Sequence, residues 1–267
     1  MAKHRNRQIE TVQEKEHAGP CGAWRRDFCA KYRELLARAR DNSYHALADT
    51  LASRGEKITC RKGCTHCCHH YVAAPLAHGI VIVDYLYGRK ELLKGFIQNY
   101  ETWRHRGHAL SNSIDSTRTR AFSSSLPIRD IITVTRPLSM RYLEMGIPCP
   151  FLVNDSCVIY PVRPMPCAGQ YSVSPPDWCA PGSREQAVIH QLVPDDEDLL
   201  EILRLAGPHL MTHEVTLPIL IYRLLTEGVS SVLSSCLQET LVQGHGVEQP
   251  GAAVPAAARS VRPGSVI

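Results

Sequence analysis

Apolar residues recur at helical spacing in several parts of this 267-residue chain. Between Trp24 and Arg40 the large apolar side chains fall close to one face, which predicts an amphipathic helix. A second helix is predicted from about Tyr44 to Ala52, ending before Gly55. The same pattern predicts further helices at residues 75–87, 89–105, 197–206, 218–227 and 229–242.

Two internal segments lack this periodicity. Residues 107–126 are rich in Ser, Thr and Arg, and we interpret them as a loop in which Arg118 and Arg120 are solvated rather than phosphate-binding. Residues 147–182 contain eight prolines, each of which removes a backbone donor and fixes φ, so an irregular segment is predicted. Within it, FLVNDSCVIY predicts a short β-hairpin with its turn at residues 154–156.

The predicted fold class is therefore mainly α, with one proline-rich excursion and one short β-hairpin. Hydrophobic residues make up 44% of the chain and charged residues 21%, which excludes a wholly disordered or collagen-like protein. We expect a disordered polar arm at residues 1–20, a single helical domain at 21–243 and a disordered Gly/Ala/Pro tail at 244–267. The acidic run at 195–198 is typical of a helix start.

The sequence also bears on the cellular compartment. The N-terminal residues include no apolar stretch typical of a secretory signal. The longest apolar stretch, Tyr71 to Tyr87, is interrupted by His78, Gly79 and Asp84 and is too short to span a bilayer. We therefore expect a cytoplasmic protein without a membrane partner, in which thiols stay reduced. The formal charge of +4 gives little support for a nucleic-acid partner.

Eleven cysteines are the unusual feature of the composition. Four of them, Cys60, Cys64, Cys67 and Cys68, recur at i, i+4, i+7 and i+8 beside basic and histidine residues. Charged neighbours make a poor core face, so we favour metal ligation over core packing or disulfide formation. In a continuous helix, Cys60 and Cys68 would lie about 12 Å apart, too far for one tetrahedral ion unless the helix breaks at Gly63.

The proline-rich segment contains four more cysteines: Cys149, Cys157, Cys167 and Cys179. Their spacing contains no short C-x2-C knuckle. We expect an irregular loop that wraps these four thiols around the first four. The alternative is that these cysteines are small apolar residues buried under a long loop. Prolines beside Cys149 and Cys167 would hold ligands with little loss of entropy. Cys21, Cys29 and Cys236 have no partner pattern, and Cys236 is predicted to be packed in a helix.

These residues resemble the YkgJ-type cysteine-cluster family, also described as the CxxCxxCC zinc- or iron-chelating domain. The resemblance lies in CRKGCTHCC at 60–68, CPFLVNDSCVIYPVRPMPC at 149–167 and Cys179, and covers roughly residues 57–182. It implies eight metal-associated cysteines: Cys60, Cys64, Cys67, Cys68, Cys149, Cys157, Cys167 and Cys179. Members of the family often have an arginine after the seventh cysteine, where this chain has Ala168 and Gly169.

All-sulfur coordination fits zinc or iron, including an iron–sulfur cluster, and the sequence leaves the choice open. Eight thiolates carry more negative charge than two divalent ions neutralise, and Arg61, Lys62 and Arg163 are candidates to offset the excess. The alternative is that these three residues are exposed cations on the surface. His66 is a candidate to orient a thiolate. We interpret the adjacent pair at positions 69 and 70 as exposed helical histidines.

We therefore expect a cytoplasmic metal-binding protein whose eight-cysteine cluster chelates zinc or iron. Bacterial flagellin lysine methylases resemble it through the same cluster, so the alternative is an iron–sulfur-dependent enzyme that modifies a protein substrate. No S-adenosylmethionine site is recognisable, and P-loop, G-x-G-x-x-G and H-E-x-x-H motifs are absent. A zinc-stabilised nucleic-acid module is a third hypothesis. Catalytic residues and oligomeric state are not indicated.

Overall fold

The computed structural model describes residues 8–10, 12–13, 19–211 and 214–235. This part of the chain is mainly helical, which confirms the coarse fold class, and its strands are short and antiparallel.

The main helices are α1 (Gly19–Ala52), α2 (Leu76–Tyr87), α3 (Lys90–Ser123), α4 (Ile128–Glu144), α5 (Asp196–Ala206), α6 (Leu217–Glu227) and α7 (Val229–Ser235). Shorter helical turns lie at His66–His69, Tyr160–Val162, Met165–Ala168, Pro176–Cys179 and Pro208–Met211. The strands are β1 (Ala73–Pro75), β2 (Leu152–Val153), β3 (Ser156–Cys157), β4 (Gln170–Ser172), β5 (Ile189–Gln191) and β6 (Glu214–Thr216). They pair as β1 with β6, β2 with β3, and β4 with β5.

Helix α2 forms the centre of the core. Ten of its twelve residues are buried, so it has no polar face, as expected of a helix covered on all sides. It packs against α1, α3 and α6. Gly79 permits a close approach of α6, because a Cβ there would lie 2.7 Å from Leu224 Cδ1.

Helix α1 is continuous, whereas the sequence predicted two separate helices over Trp24–Arg40 and Tyr44–Ala52. The residues between them continue the helix because neither proline nor glycine interrupts it. Asn42 also donates a hydrogen bond to Asp198 on α5, at 2.9 Å, and Ser43 donates to its own helix at Ala39 O. The polar residues between the two predicted helices therefore belong to α1, where Asn42 bonds to the neighbouring helix α5.

The loop predicted at residues 107–126 is wrong, since α3 extends to Ser123. Its buried positions in this half are Gly107, Ser111, Ile114 and Ala121, at helical spacing. Because most of these buried side chains are small, this half of α3 shows little of the hydrophobic periodicity from which a helix is predicted. Arg118 is not solvated as predicted either, because it pairs with Glu214 and contacts the Tyr71 hydroxyl.

Other local predictions are confirmed. The hairpin forms with Leu152 opposite Cys157, and its turn residues Asn154 and Asp155 both have positive φ, at 47° and 54°. Helix α5 begins at the acidic run, where the Asp195 side chain accepts a hydrogen bond from the Asp198 N–H at 2.8 Å. Helix α4 was not predicted.

Near the ends of the chain, the structure describes part of the predicted N-terminal arm and none of the predicted C-terminal tail. Residues 8–10 of the predicted arm are helical, and Ile9 is only 2% exposed, in the core. The tail predicted from residue 244, and Cys236 with it, lie outside the described residues. Among those described, no single helix is long and apolar enough to cross a membrane; α6 and α7 meet that test only together, across a 119° bend.

Candidate metal centre

The first cysteine group lies on a turn, not on a continuous helix. Gly63 adopts φ of +92°, which is a conformation that L side chains rarely adopt, and only His66–His69 form a helical turn. The break that the sequence required at Gly63 is therefore present. It releases Cys60 from the axial separation that a helix would impose and allows it to turn back toward Cys67.

Backbone hydrogen bonds join the proline-rich segment to this turn. The Cys149 N–H donates to Cys68 O at 2.8 Å, and the Thr59 N–H donates to Ser172 O at the same distance. The helical turn Pro176–Cys179 packs against the turn His66–His69. The late segment therefore contacts the early one at three places.

Local structure presents the late cysteines. Phe151, beside the hairpin, stacks on Phe96 of α3 with ring centroids 4.5 Å apart, which anchors the hairpin to the core. Pro164 caps the helical turn that contains Cys167, and its carbonyl accepts the Cys167 N–H at 2.8 Å. Each cysteine is thus held by a short local structure that proline or a positive φ defines.

All eight predicted cysteines lie in one electrostatically connected group. Cys67 is its common member, because its thiol interacts with those of Cys60, Cys68, Cys149, Cys157, Cys167 and Cys179. Cys64 interacts with Cys60 and Cys179, at the side nearer the first turn.

The thiols differ in how readily they ionise. The Cys68 S–H lies between Cys67 and Cys157 and can donate to either, which lowers the pKa of Cys67 to about 7 and also lowers the pKa of Cys157. The same hydrogen bonds raise the pKa of Cys68. Burial raises the pKa of Cys149 to about 12 and that of Cys167 well above its ordinary value. Without added positive charge, only some thiols would therefore ionise.

The positive charge of Arg163 acts on several of these thiols. The pKa of Cys60 is raised, mainly by burial, and the pKa of Cys67 is lowered, mainly by its hydrogen bond with Cys68. At both residues the positive charge of Arg163 acts to lower the thiol pKa, which favours the thiolate. Its guanidinium lies 3.9 Å from the centroid of the Tyr160 ring. Its Nε is buried without a hydrogen-bond partner among the described residues. Arg61 and Lys62, the other predicted cations, are exposed.

An open cleft of about 680 Å³, including solvent at its mouth, borders the cysteine group. Four of the thiols line it: Cys60, Cys64, Cys67 and Cys167. Arg61, Lys62 and Arg163 supply positive charge around it, and Tyr160 and Tyr171 supply aromatic surface. One side of the cysteine group is therefore accessible from solvent.

His69 and His70 are not exposed, although the sequence predicted exposed helical histidines; His69 does lie in the helical turn His66–His69. Both are half-buried, and His69 Nδ1 and His70 Nε2 lie buried without hydrogen-bond partners in the described part of the chain. Burial lowers the pKa of His70, so its ring stays neutral. His66 Nε2 lies 4.0 Å from Asp177 Oδ1, an exposed carboxylate.

Ser172 is a site residue that the sequence did not reveal. Its N–H donates to Cys60 Sγ at 3.1 Å, its hydroxyl donates to Ser174 O at 3.3 Å, and the residue is 2% exposed. Ser172 and Ser174 are both buried on alternate positions of an extended segment. That alternation, with serine where an apolar residue is usual, was the available signal.

Cys29 lies outside the group. It is fully buried on α1, its Sγ lies 3.9 Å from Ile80 O, and burial raises its pKa to about 12. It is therefore a packed core residue. The side chain of Cys21 is not described.

The thiols are close without being placed for ligation. Among the residues that the structure describes, no three side chains of His, Cys, Asp or Glu surround one point at which a metal ion would be held. Comparison of the chain with protein-family models, curated proteins and solved structures finds no match. The resemblance to the YkgJ-type family therefore remains a prediction from the quoted motifs.

Proposed function

We propose that this chain is a cytoplasmic metal-binding protein, related to the YkgJ-type family, whose eight cysteines chelate zinc or iron. The observation that carries the proposal is the convergence of two cysteine groups that lie about eighty residues or more apart in sequence, with Cys67 common to their interactions. Zinc and iron–sulfur sites both use cysteine thiolates as ligands. The chemistry of the donor set fits either.

Charge supports the same proposal. Buried thiols such as Cys149 and Cys167 resist ionisation in this environment, and a metal cation supplies the charge that stabilises their thiolates. Arg163 contributes one further positive charge, and its buried Nε is available to an acceptor at the thiolate group. A cation thus relieves an electrostatic penalty that the protein residues alone leave in place.

Ligation requires side-chain rotation. Thiols that share hydrogen bonds point toward one another, whereas thiolates bound to one ion point toward a common centre. Rotation about χ1 of the cysteines, within a backbone that prolines restrict, would convert the first arrangement into the second. Because few backbone changes are then needed, we expect metal binding to stabilise residues 57–182 without altering the helical core.

The first test is elemental analysis and an absorption spectrum of protein purified without oxygen and without a metal-affinity tag. About two zinc ions per chain in a colourless sample support closed thiolate sites with a structural or carrier role. Iron with acid-labile sulfide and a broad visible band supports a cluster. A folded protein that contains neither metal, and takes up neither after reduction, contradicts the proposal.

Cysteine variants test the assignment of ligands. We expect Cys67→Ser and Cys157→Ser each to lower the metal-to-protein ratio and the melting temperature, since each removes a thiolate from the centre of the group. Cys29→Ala is the matched control because that thiol is packed against α2. It should lower stability through core packing and leave the metal ratio unchanged. Equal metal ratios in all three variants would refute the assignment.

The enzyme hypothesis rests on one observation, the open cleft beside Cys60, Cys64, Cys67 and Cys167. A purely structural site is usually closed, and a catalytic one keeps access for substrate. Methyl transfer from S-adenosylmethionine to a protein substrate, dependent on bound iron, would favour the enzyme hypothesis. An inert protein that retains zinc would favour the structural one.

A further inference from the structure

Helix α4 presents large apolar side chains to solvent near its first turns. Ile128 is 63% exposed and Ile132 is 56% exposed, and these two residues lie one turn apart on the same side of the helix. Five of the fourteen large hydrophobic residues that are exposed in the described part of the chain fall within residues 122–134. Single exposed hydrophobic residues are ordinary, whereas a concentration of them marks an interaction surface.

Only one helix packs extensively against α4 within the ranges that the structure describes, and that helix is α3. The buried side of α4 consists of Ile131, Thr135 and Tyr142. Successive residues of a helix are about 100° apart around its axis, so Ile128 and Ile132 lie about 20° and 60° from Thr135, at the border of this buried side. Another helix that packed at this border would cover both isoleucines.

Two exposed arginines lie beside these isoleucines. Arg129 precedes Ile132 by three residues and Arg136 follows it by four, so each lies one turn from Ile132 on the same side of α4. The two carboxylates of α4, those of Asp130 and Glu144, lie about 160° and 120° around the helix from Ile132. The resulting surface, called the α4 flank, consists of Ile128, Arg129, Ile132 and Arg136. It carries positive charge and no acidic residue of α4.

This charge pattern argues against a second copy of the chain as the occupant of the α4 flank. In an antiparallel pair of α4 helices joined at Ile132, Arg129 of each copy would face Arg136 of the other, and in a parallel pair each arginine would face its own equivalent. Both arrangements bring like charges together. A partner helix with a carboxylate on either side of its apolar residues instead pairs with both guanidiniums, which bind carboxylates through two parallel hydrogen bonds.

The length of the exposed apolar stripe favours a protein helix over a bilayer. The two isoleucines of the α4 flank extend over one helical turn, and the exposed Arg136 follows them. A helix that lies in a membrane interface presents an apolar face along its length. Apolar anchors at i and i+4 are the pattern by which amphipathic helices recognise other proteins.

We propose that the α4 flank is a docking surface for an acidic, amphipathic helix of a partner protein. Apolar residues of that helix cover Ile128 and Ile132, and its Glu or Asp side chains pair with Arg129 and Arg136. None of these four residues lines the cleft beside the cysteine group. The proposal therefore does not depend on metal binding.

The test uses the full-length protein and a fluorescently labelled synthetic peptide of about twenty residues, which is long enough to form a helix. The peptide has leucines at i, i+4 and i+7 of one face and glutamates on both sides of that face. In a second peptide every glutamate is replaced by lysine. We expect fluorescence anisotropy to show saturable binding of the acidic peptide, about tenfold or more tighter than binding of the lysine peptide at physiological ionic strength.

Variants of exposed residues locate the binding surface. Ile132→Ser should weaken binding of the acidic peptide about tenfold or more, because it removes an apolar anchor. Arg136→Gln should weaken binding up to about fivefold, as expected for an exposed ion pair. The matched controls are Leu200→Ser on α5, where the leucine is 39% exposed, and Arg26→Gln at an exposed position of α1. Both controls should bind the peptide as the wild type does, and circular dichroism melting checks that all four variants are folded.

Several results would overturn the proposal: no saturable peptide binding, equal affinity for the acidic and the lysine peptides, or equal weakening by Ile132→Ser and Leu200→Ser. Phosphatidylglycerol vesicles that bind the wild type in competition with the peptide, and do not bind Ile132→Ser, would assign the α4 flank to an anionic membrane surface instead. A dimer in sedimentation velocity that Ile132→Ser dissociates would assign it to a second copy of the chain.

Discussion

Replacing Gly79 by alanine tests the packing of α2 against α6 on which the core depends. A Cβ at this position would lie 2.7 Å from Leu224 Cδ1 and 2.9 Å from both Cδ2 and Cγ of Leu220. Carbon atoms in favourable contact are about 3.5–4.0 Å apart, so about 1 Å must be gained. Leu220 and Leu224 are 2% and 0% exposed, and neither can swing into solvent.

The magnitude follows from a comparison of two helical glycines. Gly95 on α3 has no atom within 4 Å of a built Cβ, so Gly95→Ala gains only helix propensity, about 1 kcal/mol of stabilisation. Gly79→Ala gains the same propensity and adds an overpacking penalty of about 1–3 kcal/mol. The difference in unfolding free energy between the two variants isolates that penalty.

The assay is equilibrium urea unfolding followed by far-UV circular dichroism, on samples matched for metal content. We expect Gly95→Ala to raise the transition midpoint and Gly79→Ala to fall below it by the equivalent of about 1–3 kcal/mol, with similar m-values. Equal midpoints for the two variants would refute the close approach of α2 and α6. A lower m-value in Gly79→Ala alone would indicate a change in the compactness of one state.

Two further predictions concern buried polar groups. The pKa of His78 is lowered by burial to about 4 and returns to about 6.5 on unfolding, so the unfolded chain binds the proton first and stability is lost as the pH falls between these values. We expect about 2 kcal/mol more loss from pH 7 to pH 5 in the wild type than in His78→Gln, measured by urea unfolding; an equal loss would contradict a neutral buried ring. Asp115 accepts hydrogen bonds from the Tyr71 hydroxyl and from Thr216 Oγ1, the latter at 2.7 Å, and joins α3 to strand β6 and to the segment that precedes β1. Asp115→Ala should destabilise the protein by about 1.5–3 kcal/mol and Asp115→Asn by less, and equal melting temperatures for wild type and the alanine variant would show that this junction contributes nothing.

The helices reveal how much of the fold the sequence could predict. Helices α2 and α6 were predicted close to their bounds because large apolar side chains mark their buried faces. Helix α5 was predicted close to its bounds because its acidic run marks the helix start. The second half of α3 was missed because its buried face consists mainly of small residues, such as Gly107 and Ser111. Helix α4 was missed for a related reason, since it buries only Ile131, Thr135 and Tyr142 and contains Pro137.

The cysteine site divides in the same way. Residue type and motif alone led to the prediction of an eight-cysteine group and set aside Cys21, Cys29 and Cys236, of which the structure places Cys29 in the core. The sequence could not indicate which thiols are neighbours in space, because the late cysteines are separated by eight residues or more of irregular chain, and such spacing fixes no distance between their side chains. The central position of Cys67, the shared Cys68 proton and the buried Ser172 all depend on contacts between segments far apart in sequence.

The sequence by itself thus determined the helical class and the hairpin turn, and it indicated the eight cysteines, since each depends on local backbone preference or side-chain chemistry. Tertiary structure alone decided which face of the cysteine group is open, and it placed Arg163 at that face. The physical reason is that burial and contacts between charged or polar groups arise between segments. Cys60 and Ser172 lie 112 positions apart, and only the packing of their two segments brings the Ser172 N–H to Cys60 Sγ.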